Sequence, residues 1–353
     1  MNSPEPFSPK FDIVVQIGAF QPWLQVHQAA LELALQQSRQ VLLLWVDADR
    51  ARSAVHPFTA TECRQILGLA LPETLRHRVH VMGLRQNLHP GREWANVWQH
   101  ARQLSGSTEP RLAVLQAPDA PRRYWPNVPR LPYPADDDPG LTWRQAAFGS
   151  TDPTHVLRQY GDRLVPATRA WFEAWLQGPL RQAVHAEWQL LQHERAAWAA
   201  APYPPTLVTV DCVVQCADHV LLIQRGRQPG QGLHALPGGF LDVHETLVQS
   251  ACRELCEETG LALPATLQPS GQAVFDAPGR SQRGRVITHA YHFVLPDANL
   301  PVVQAGDDAA QAHWVPLAQL PLLSGQLHDD HALILDHFLH VMPTDIVMPL
   351  TPA

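Results

Sequence analysis

The stretch Gly238–Leu261 reads GGFLDVHETLVQSACRELCEETGL. After Gly239 come five residues, Glu245, seven more residues, and then Arg253, Glu254, Glu257, Glu258 and Gly260. Neither proline nor glycine falls between Glu245 and Thr259, and Gly260 is a natural stop, so the pattern predicts a helix of about four turns over Glu245–Thr259. Its apolar stripe is Val248, Ala251 and Leu255. At about 3.6 residues per turn, Glu254, Glu257 and Glu258 share an arc of roughly 100° beside that stripe, with Arg253 one turn before Glu257. Carboxylates so spaced repel one another. A solvated acidic face tolerates them, but they are also what a hard, oxygen-seeking cation such as Mg²⁺ or Mn²⁺ requires. Pro237-Gly238-Gly239 frees the backbone to approach a phosphate. A cation at that place neutralises the phosphate charge and activates a water against a phosphoanhydride.

These positions make up the signature of the Nudix hydrolases, and the stretch resembles that family at every fixed position across the 23 residues Gly239–Leu261. Glu254, Glu257 and Glu258 are the candidate metal ligands, and Gly238 and Gly239 the candidate phosphate-facing backbone. Glu257 is the first candidate for a general base by proximity. Glu245 is expected to orient the helix and its loop, and Arg253 to pair with a helix glutamate and hold the cluster together.

The full chain bounds the rest. Its 353 residues suffice for about two domains, and 45% hydrophobic with 17% charged residues suits a globular protein. A net charge of −7 argues against a general nucleic-acid surface, which needs clustered cations. Lys10 is the sole lysine, which excludes a Walker-type phosphate loop and Schiff-base chemistry from structured sites. No stretch approaches the ~18 apolar residues of a membrane span, and the opening MNSPEPFSPKFDIVVQIGAF lacks a basic region followed by a long apolar run. A cytoplasmic protein is expected. Cys212 and Cys216 fall in one expected strand, where residues four apart are roughly 13 Å apart, too far to share an ion. Cys252 and Cys256 fall on the acidic helix, and all five cysteines read as structural thiols.

Toward the amino end, Phe11–Ile17 and Val41–Val46 read as buried strands separated by a helix through about Gln37, with Arg78–Met82 and Leu112–Leu115 as further short apolar runs. This alternation predicts an open, doubly wound α/β sheet. Gly18, Phe20, Gln21, Pro22 and His27 in its first loop resemble the opening of the nicotinamide mononucleotide adenylyltransferases. In this chain Ala19, Leu24 and Val26 replace the arginine, first histidine and glycine of that opening. The resemblance implies a Rossmann-like nucleotidyltransferase fold with Gly18, Phe20, Gln21, His27, Trp94 and Arg144 as nucleotide-site candidates. Arg158 competes with Arg144 for one role. The substitutions fall on phosphate-handling positions, so impaired ATP chemistry is expected. Arg122-Arg123-Tyr124-Trp125 reads either as a nucleotide contact or as a solvated, extended loop.

Continuous helical pattern runs over 167–200 with a break at Gly178-Pro179, and Pro202, Pro204 and Pro205 end it. The expected division is therefore residues 1–180 for the nucleotidyltransferase-like domain, 181–205 for a helical bridge and linker, and 206–353 for a Nudix α/β/α sandwich. Thr206–Val214, His219–Gln224 and Tyr291–Leu295 read as strands. Arg225 and the arginines of 280–285, Arg283 and Arg285 among them, are candidate anion contacts; a solvated hairpin tip is the other reading of that segment. Thr209-Val210-Asp211, the 225–237 loop and Ala305–Ala309 resemble the ADP-ribose-hydrolysing branch found fused to those adenylyltransferases, with His234 where that branch has tryptophan. Asp307 and Asp308 accordingly read either as contacts to the substrate or metal or as caps of their turn. Asp329 or Asp330 reads as the N-cap of a helix over 332–341.

The function expected is metal-dependent hydrolysis of ADP-ribose to AMP and ribose 5-phosphate with Mg²⁺ or Mn²⁺. Two alternatives stand beside it, a bifunctional enzyme that also makes NAD from nicotinamide mononucleotide and ATP, and an ADP-ribose-responsive regulatory protein. No nucleic-acid or membrane partner is expected, and the sequence leaves oligomerisation open, a homo-oligomer included.

Overall fold

A computed structural model of the chain describes residues 9–85, 90–117, 128–134, 141–264, 266–296, 299–343 and 345–347. Two compact units emerge. One contains the described residues of Met1–Asp49, Pro57–Gln182 and Thr344–Ala353, the other Arg50–His56 and Ala183–Pro343.

In the first unit strands and helices alternate as β1 (Phe11–Gly18), α1 (Gln25–Gln37), β2 (Ser38–Val46), α2 (Ala60–Ala70), β3 (Val79–Leu84), α3 (Pro90–Ser105) and β4 (Leu112–Gln116). Among the described residues β3, β2, β1 and β4 lie in that order and run parallel. Asp345–Val347 adds an antiparallel edge strand on β3. Parallel strands are covered on both faces, which is why β1 and β2 are near-continuous apolar runs. Ile13, Val15 and Ile17 pack with Val97 and Ala101 of α3. The alternate residue Val14 is equally buried, and α1 lies against β1 and β2. Helices α4 (Leu141–Gly149), α5 (Pro153–Tyr160), α6 (Arg169–Gln177) and α7 (Pro179–Ala197) follow. Gly178 separates α6 from α7, at the break read from the sequence. The Arg122–Trp125 stretch lies outside the described residues.

The second unit holds β5 (Thr206–Cys216), β6 (His219–Arg225), β7 (His234–Ala235), β8 (Gly238–Phe240), α8 (Leu247–Thr259), β9 (Gly271–Phe275), β10 (Arg285–Leu295), β11 (Ala309–Pro316) and α9 (His331–Leu339). A mixed sheet of order β11-β6-β5-β10-β9 is its centre, with β7 on β6 and β8 on β5. Strand alternation divides its two faces. Val210, Cys212 and Val214 of β5 meet Ala251 and Leu255 of α8. Val213 between them meets Ile334 and Leu335 of α9 on the opposite face. A helix on each face of one sheet is the α/β/α sandwich expected.

Three local readings are corrected. The acidic helix begins at Leu247 and not at Glu245, because Thr246 and Gln249 form a reciprocal cap: Gln249 Oε1 accepts the Thr246 N–H at 2.9 Å and Thr246 Oγ1 accepts the Gln249 N–H at 3.4 Å. Val248 is not part of the apolar stripe; it is 37% exposed, while Leu247 packs with Ala251 and Leu255. Asp330 stands at the start of α9 without a side-chain capping bond, and its carboxylate instead meets Arg280. Gly260 ends α8 as expected, at φ 66 in the left-handed region where an L side chain is strained.

Candidate active site

Backbone and helix meet where β8 runs into α8. Gly239 pairs with Val210 and Gly238 with Asp211 across β5, so the glycine loop is held as a strand and not left as a free turn. The need for glycine is steric. A Cβ on Gly239 would stand 2.5 Å from the Glu254 carboxylate, and one on Gly238 would overlap the Val210 carbonyl oxygen and come within 3.0 Å of the Asp211 Cα. The loop backbone and the carboxylates of α8 therefore face each other with no side chain between them.

Arg253 ties the carboxylates together. Its Nε donates to Glu245 Oε2 at 2.9 Å and Oε1 at 3.1 Å, and its Nη1 donates to Glu254 Oε1 at 2.9 Å and Glu257 Oε2 at 2.8 Å. Ser250 Oγ donates to Glu245 at 2.6 Å and accepts the Asp242 N–H at 3.2 Å. Glu245, although outside the helix, is thus clamped to it. The Ser250 hydroxyl and then Arg253 hold its carboxyl below the usual carboxylate range. Bonding to Glu245 above all holds the Arg253 guanidinium further up than an ordinary arginine.

Glu258 differs from its neighbours. It is 5% exposed and accepts the Gly238 N–H at 2.9 Å, and burial pushes its carboxyl up to about 8. Burial also raises Glu254. Among the described residues no group of three or more His, Cys, Asp or Glu side chains stands in ready metal-ligating geometry. The donor set nonetheless fits a hard cation. Glu254, Glu257 and Glu258 offer oxygen alone, Gly239 leaves the Glu254 carboxylate uncovered on the loop side, and Arg253 now supplies the positive charge between Glu254 and Glu257.

Beside the glycines lies a slot lined by Gly238, Gly239, Phe240, Arg225, Arg280 and Arg283, among others. Of the arginines named from the sequence, Arg225, Arg280 and Arg283 line it. Arg225 is half-buried, its Nε donating to the Pro229 carbonyl at 2.9 Å, and burial pulls its guanidinium downward. Arg283 lies 5.5 Å from the Phe240 ring centre. Arg285 does not line the slot; it donates to the Asp276 carbonyl. The loop carrying Asp307 and Asp308 packs on the end of α8, where the Gly306 N–H donates to the Glu258 carbonyl at 3.1 Å. Asp308 pairs with Arg227 at 2.6 Å, and Asp307 adds negative charge near Glu254.

Of the lining residues, His328 and His331 escaped the sequence reading of the site. Arg280 is 4% exposed and donates through Nε and Nη2 to the Asp330 carboxylate at 2.9 and 2.7 Å, so this part of the arginine segment is not a solvated tip. Burial opposes its charge, but Asp330 and Asp211 outweigh burial and raise it. Asp211 accepts from Thr288 Oγ1 at 2.5 Å, and His331 Nδ1 accepts the Leu236 N–H at 2.8 Å. Burial pushes Asp211 up and lowers His331 to about 4, so the imidazole is neutral. An arginine-rich stretch flagged Arg280, but nothing local could tie it to an aspartate fifty residues on.

The candidates of the first unit occupy a different setting. Phe20, at φ 49, is 1% exposed and packs on Trp23, His27 and Trp45 with ring centres 5.0, 5.2 and 5.3 Å away. A Cβ on Gly18 would overlap the Phe20 ring. Gln21 is pinned to Phe58 by both of its amide atoms, at 3.0 and 3.1 Å. His27 Nδ1 accepts the Leu24 N–H at 2.9 Å, capping its own helix. Trp94 packs on the α3 face of the sheet, and Arg144 lies half-buried on α4.

Residues 205–338 match the NUDIX domain. An ADP-ribose pyrophosphatase of Methanocaldococcus jannaschii is 36% identical over 132 residues, covering 37% of this chain and 72% of that protein. The ADPR responsive transcriptional repressor NtrR of Acinetobacter baylyi is 29% identical over 170 residues, covering 44% of this chain and 65% of that protein. The crystal structure of a bifunctional NMN adenylyltransferase/ADP ribose pyrophosphatase from Francisella tularensis, complexed with AMP and a manganese ion, aligns with a TM-score of 0.81 at 26% identity. That alignment spans 94% of this chain and 99% of the Francisella chain, so the parallel sheet is the Rossmann-like half of the same architecture. With the glycine strand, the Arg253 clamp and the three glutamates in place on an α/β/α sandwich, the chain belongs to the Nudix family.

Proposed function

We propose that the second unit hydrolyses the diphosphate of ADP-ribose to AMP and ribose 5-phosphate, using Mg²⁺ or Mn²⁺ as the family's divalent cation. The observation that carries this reading is the uncovered approach of the Gly239 backbone to Glu254, beside a slot lined by Arg225 and Arg283. Similarity to an ADP-ribose pyrophosphatase and to the bifunctional Francisella protein supports the substrate.

In this reading Glu254, Glu257 and Glu258 would hold the cation. When bound it neutralises phosphate charge and lowers the pKa of a water. Gly238 and Gly239 let the diphosphate lie against the backbone, and Arg225 and Arg283 balance its remaining charge. Arg253, anchored by Glu245 and Ser250, fixes the directions of the Glu254 and Glu257 carboxylates. Glu257, the most exposed carboxylate on the clamp, is the candidate to take the proton as water adds to phosphorus and one P–O bond of the anhydride breaks. Asp307 is assigned an electrostatic part only.

We further propose that the first unit has lost its adenylyltransferase chemistry. Phe20, Trp23 and Trp45 pack around the end of β1, and His27 is engaged in capping its helix. A chain that also makes NAD is the alternative favoured by the full-length likeness to the Francisella protein. The NtrR likeness favours a sensor instead, and the retained glutamates weigh against it because binding alone does not require them.

A panel of nucleoside diphosphate derivatives with either metal, and nicotinamide mononucleotide with ATP, tests the set. Preferred turnover of ADP-ribose without NAD formation is expected. Cleavage of another derivative with ADP-ribose untouched removes the substrate assignment, and NAD formation removes the assignment of the first unit.

A further inference from the structure

We propose, resting on the hydrolysis assigned above, that His331 is a positioning residue for that reaction. Its imidazole takes a buried backbone N–H at the entry to the glycine strand, and so sets where Gly238 and Gly239 stand against the carboxylates of α8.

Between β7 and β8 the chain changes neighbours. Ala235 pairs with Ile223 of β6, whereas Gly238 pairs with Asp211 of β5. Leu236 lies at the crossing and is buried, so its N–H needs an acceptor away from water. His331 Nδ1 supplies it at 2.8 Å, from the first residue of α9. An Nδ1 that accepts leaves the proton of a neutral imidazole on Nε2. That side of the ring faces Asp211 Oδ1 at 3.7 Å, while Asp211 Oδ2 accepts the Thr288 hydroxyl at 2.5 Å. Both ring nitrogens are thereby directed at protein groups, although the ring lines the slot. His331 therefore acts on the reaction through the strand.

Pro237 alone separates Leu236 from Gly238. Its ring fixes φ and its carbonyl accepts the Cys212 N–H at 2.8 Å, so the connection is stiff. Gly238 then donates to Glu258 Oε2 at 2.9 Å, and Gly239 lies against the Glu254 carboxylate. Asp211 flanks the same strand, with its Oδ1 3.0 Å from the place that a Cβ on Gly238 would take. Without the His331 acceptor the Leu236 N–H is a buried donor with no partner, and the strand must shift to satisfy it. Glu254 and Glu258, two of the proposed cation ligands, then lose the backbone they stand against. Asp330, the residue before His331, holds Arg280, so the start of α9 fixes both the strand and an arginine of the slot.

Asparagine and leucine nearly match in size, and asparagine Oδ1 stands as many bonds from Cα as histidine Nδ1. His331→Asn should therefore keep the Leu236 bond that His331→Leu loses. The measurements on full-length protein are kcat and KM for ADP-ribose with Mg²⁺, taken well below the melting temperature of each variant, and backbone amide exchange over residues 234–240 by mass spectrometry. His331→Leu should lose kcat by about tenfold or more with KM within about threefold of wild type, the pattern of a misplaced site whose substrate contacts persist. His331→Asn should keep kcat within about threefold. Amide exchange should quicken in His331→Leu and stay at the wild-type rate in His331→Asn. Wild-type kcat in His331→Leu overturns the proposal, as does a fall in His331→Asn equal to that in His331→Leu, or a loss confined to KM. Failure of wild type to cleave ADP-ribose would remove the substrate reading and leave the exchange comparison to decide: quickened exchange in the leucine variant alone upholds the positioning role, and equal exchange in both variants overturns it. If His331→Leu does not fold, His331→Gln takes its place with the same expectations, because its amide reaches one bond further, to the position of Nε2, and misses the Leu236 N–H.

Discussion

Substituting Gly239 with alanine separates catalysis from folding. The added Cβ would stand 2.5 Å from the Glu254 carboxylate, and ordinary contact begins near 3.4 Å, so the carboxylate must withdraw by about 0.9 Å. It can do so, because the obstructing atoms are the end of a flexible side chain and not backbone. The expected change in stability is therefore under about 1 kcal/mol. Catalysis has no such latitude: displacement of a positioned group by ~1 Å costs on the order of 100-fold. Withdrawal also disturbs the Arg253 bond to Glu254, and with it the direction of the Glu257 carboxylate bonded to the same nitrogen. Gly238→Ala provides the contrast, because there the new Cβ meets the Val210 carbonyl oxygen and the Asp211 Cα, which are backbone atoms of a central strand. That variant should lose several kcal/mol along with its activity. The assay is kcat for ADP-ribose hydrolysis beside thermal melting of both variants. Full turnover in Gly239→Ala, or loss of turnover only in step with loss of fold, would refute the reasoning.

Further expectations concern the clamp, the buried charges and acid. Glu254→Gln and Glu258→Gln should each abolish measurable metal-dependent turnover while melting close to wild type. Arg253→Lys keeps the charge but cannot bond three carboxylates with fixed geometry, so kcat should fall by more than about tenfold in steady-state assays. Asp330→Asn leaves the Arg280 charge buried without its carboxylate and should destabilise the second unit by about 3 kcal/mol, measured by denaturant unfolding. His331 is held neutral, with a folded value of about 4 against 6.5 when unfolded. The unfolded chain therefore binds the extra proton first, and stability should fall as pH drops from about 6.5 toward 4, by up to about 3 kcal/mol. Asp211, raised by the same burial, acts in the opposite sense and offsets part of that loss. His331→Gln should flatten the acid limb of the unfolding profile; an unchanged limb would contradict the assignment.

Legibility followed the range of the interactions. The Nudix helix, its glycine stop and its three glutamates were readable because i, i+3 and i+4 spacing maps directly onto one helical face. Alternating strands and helices exposed the parallel sheet for the same local reason. The sequence pattern places the helix start two residues early because neither Glu245 nor Thr246 forbids helix; the reciprocal Thr246–Gln249 cap, a threonine followed three residues later by glutamine, is the local signal that moves it. Arg280 and Asp330 meet only through tertiary structure, and capping was the natural local reading of an aspartate before a helix. In the first loop the sequence revealed which side chains had changed, but not that Phe20 would turn inward at a positive φ and occupy the space above Gly18.

The most direct test follows ADP-ribose itself. Purified full-length protein with Mg²⁺ or Mn²⁺ is expected to yield AMP and ribose 5-phosphate in equal amounts, to yield neither with chelator present, and to yield neither as Glu254→Gln. Products in other proportions, turnover that survives chelation, or undiminished turnover in Glu254→Gln would contradict hydrolysis at the Gly239–Glu254 site.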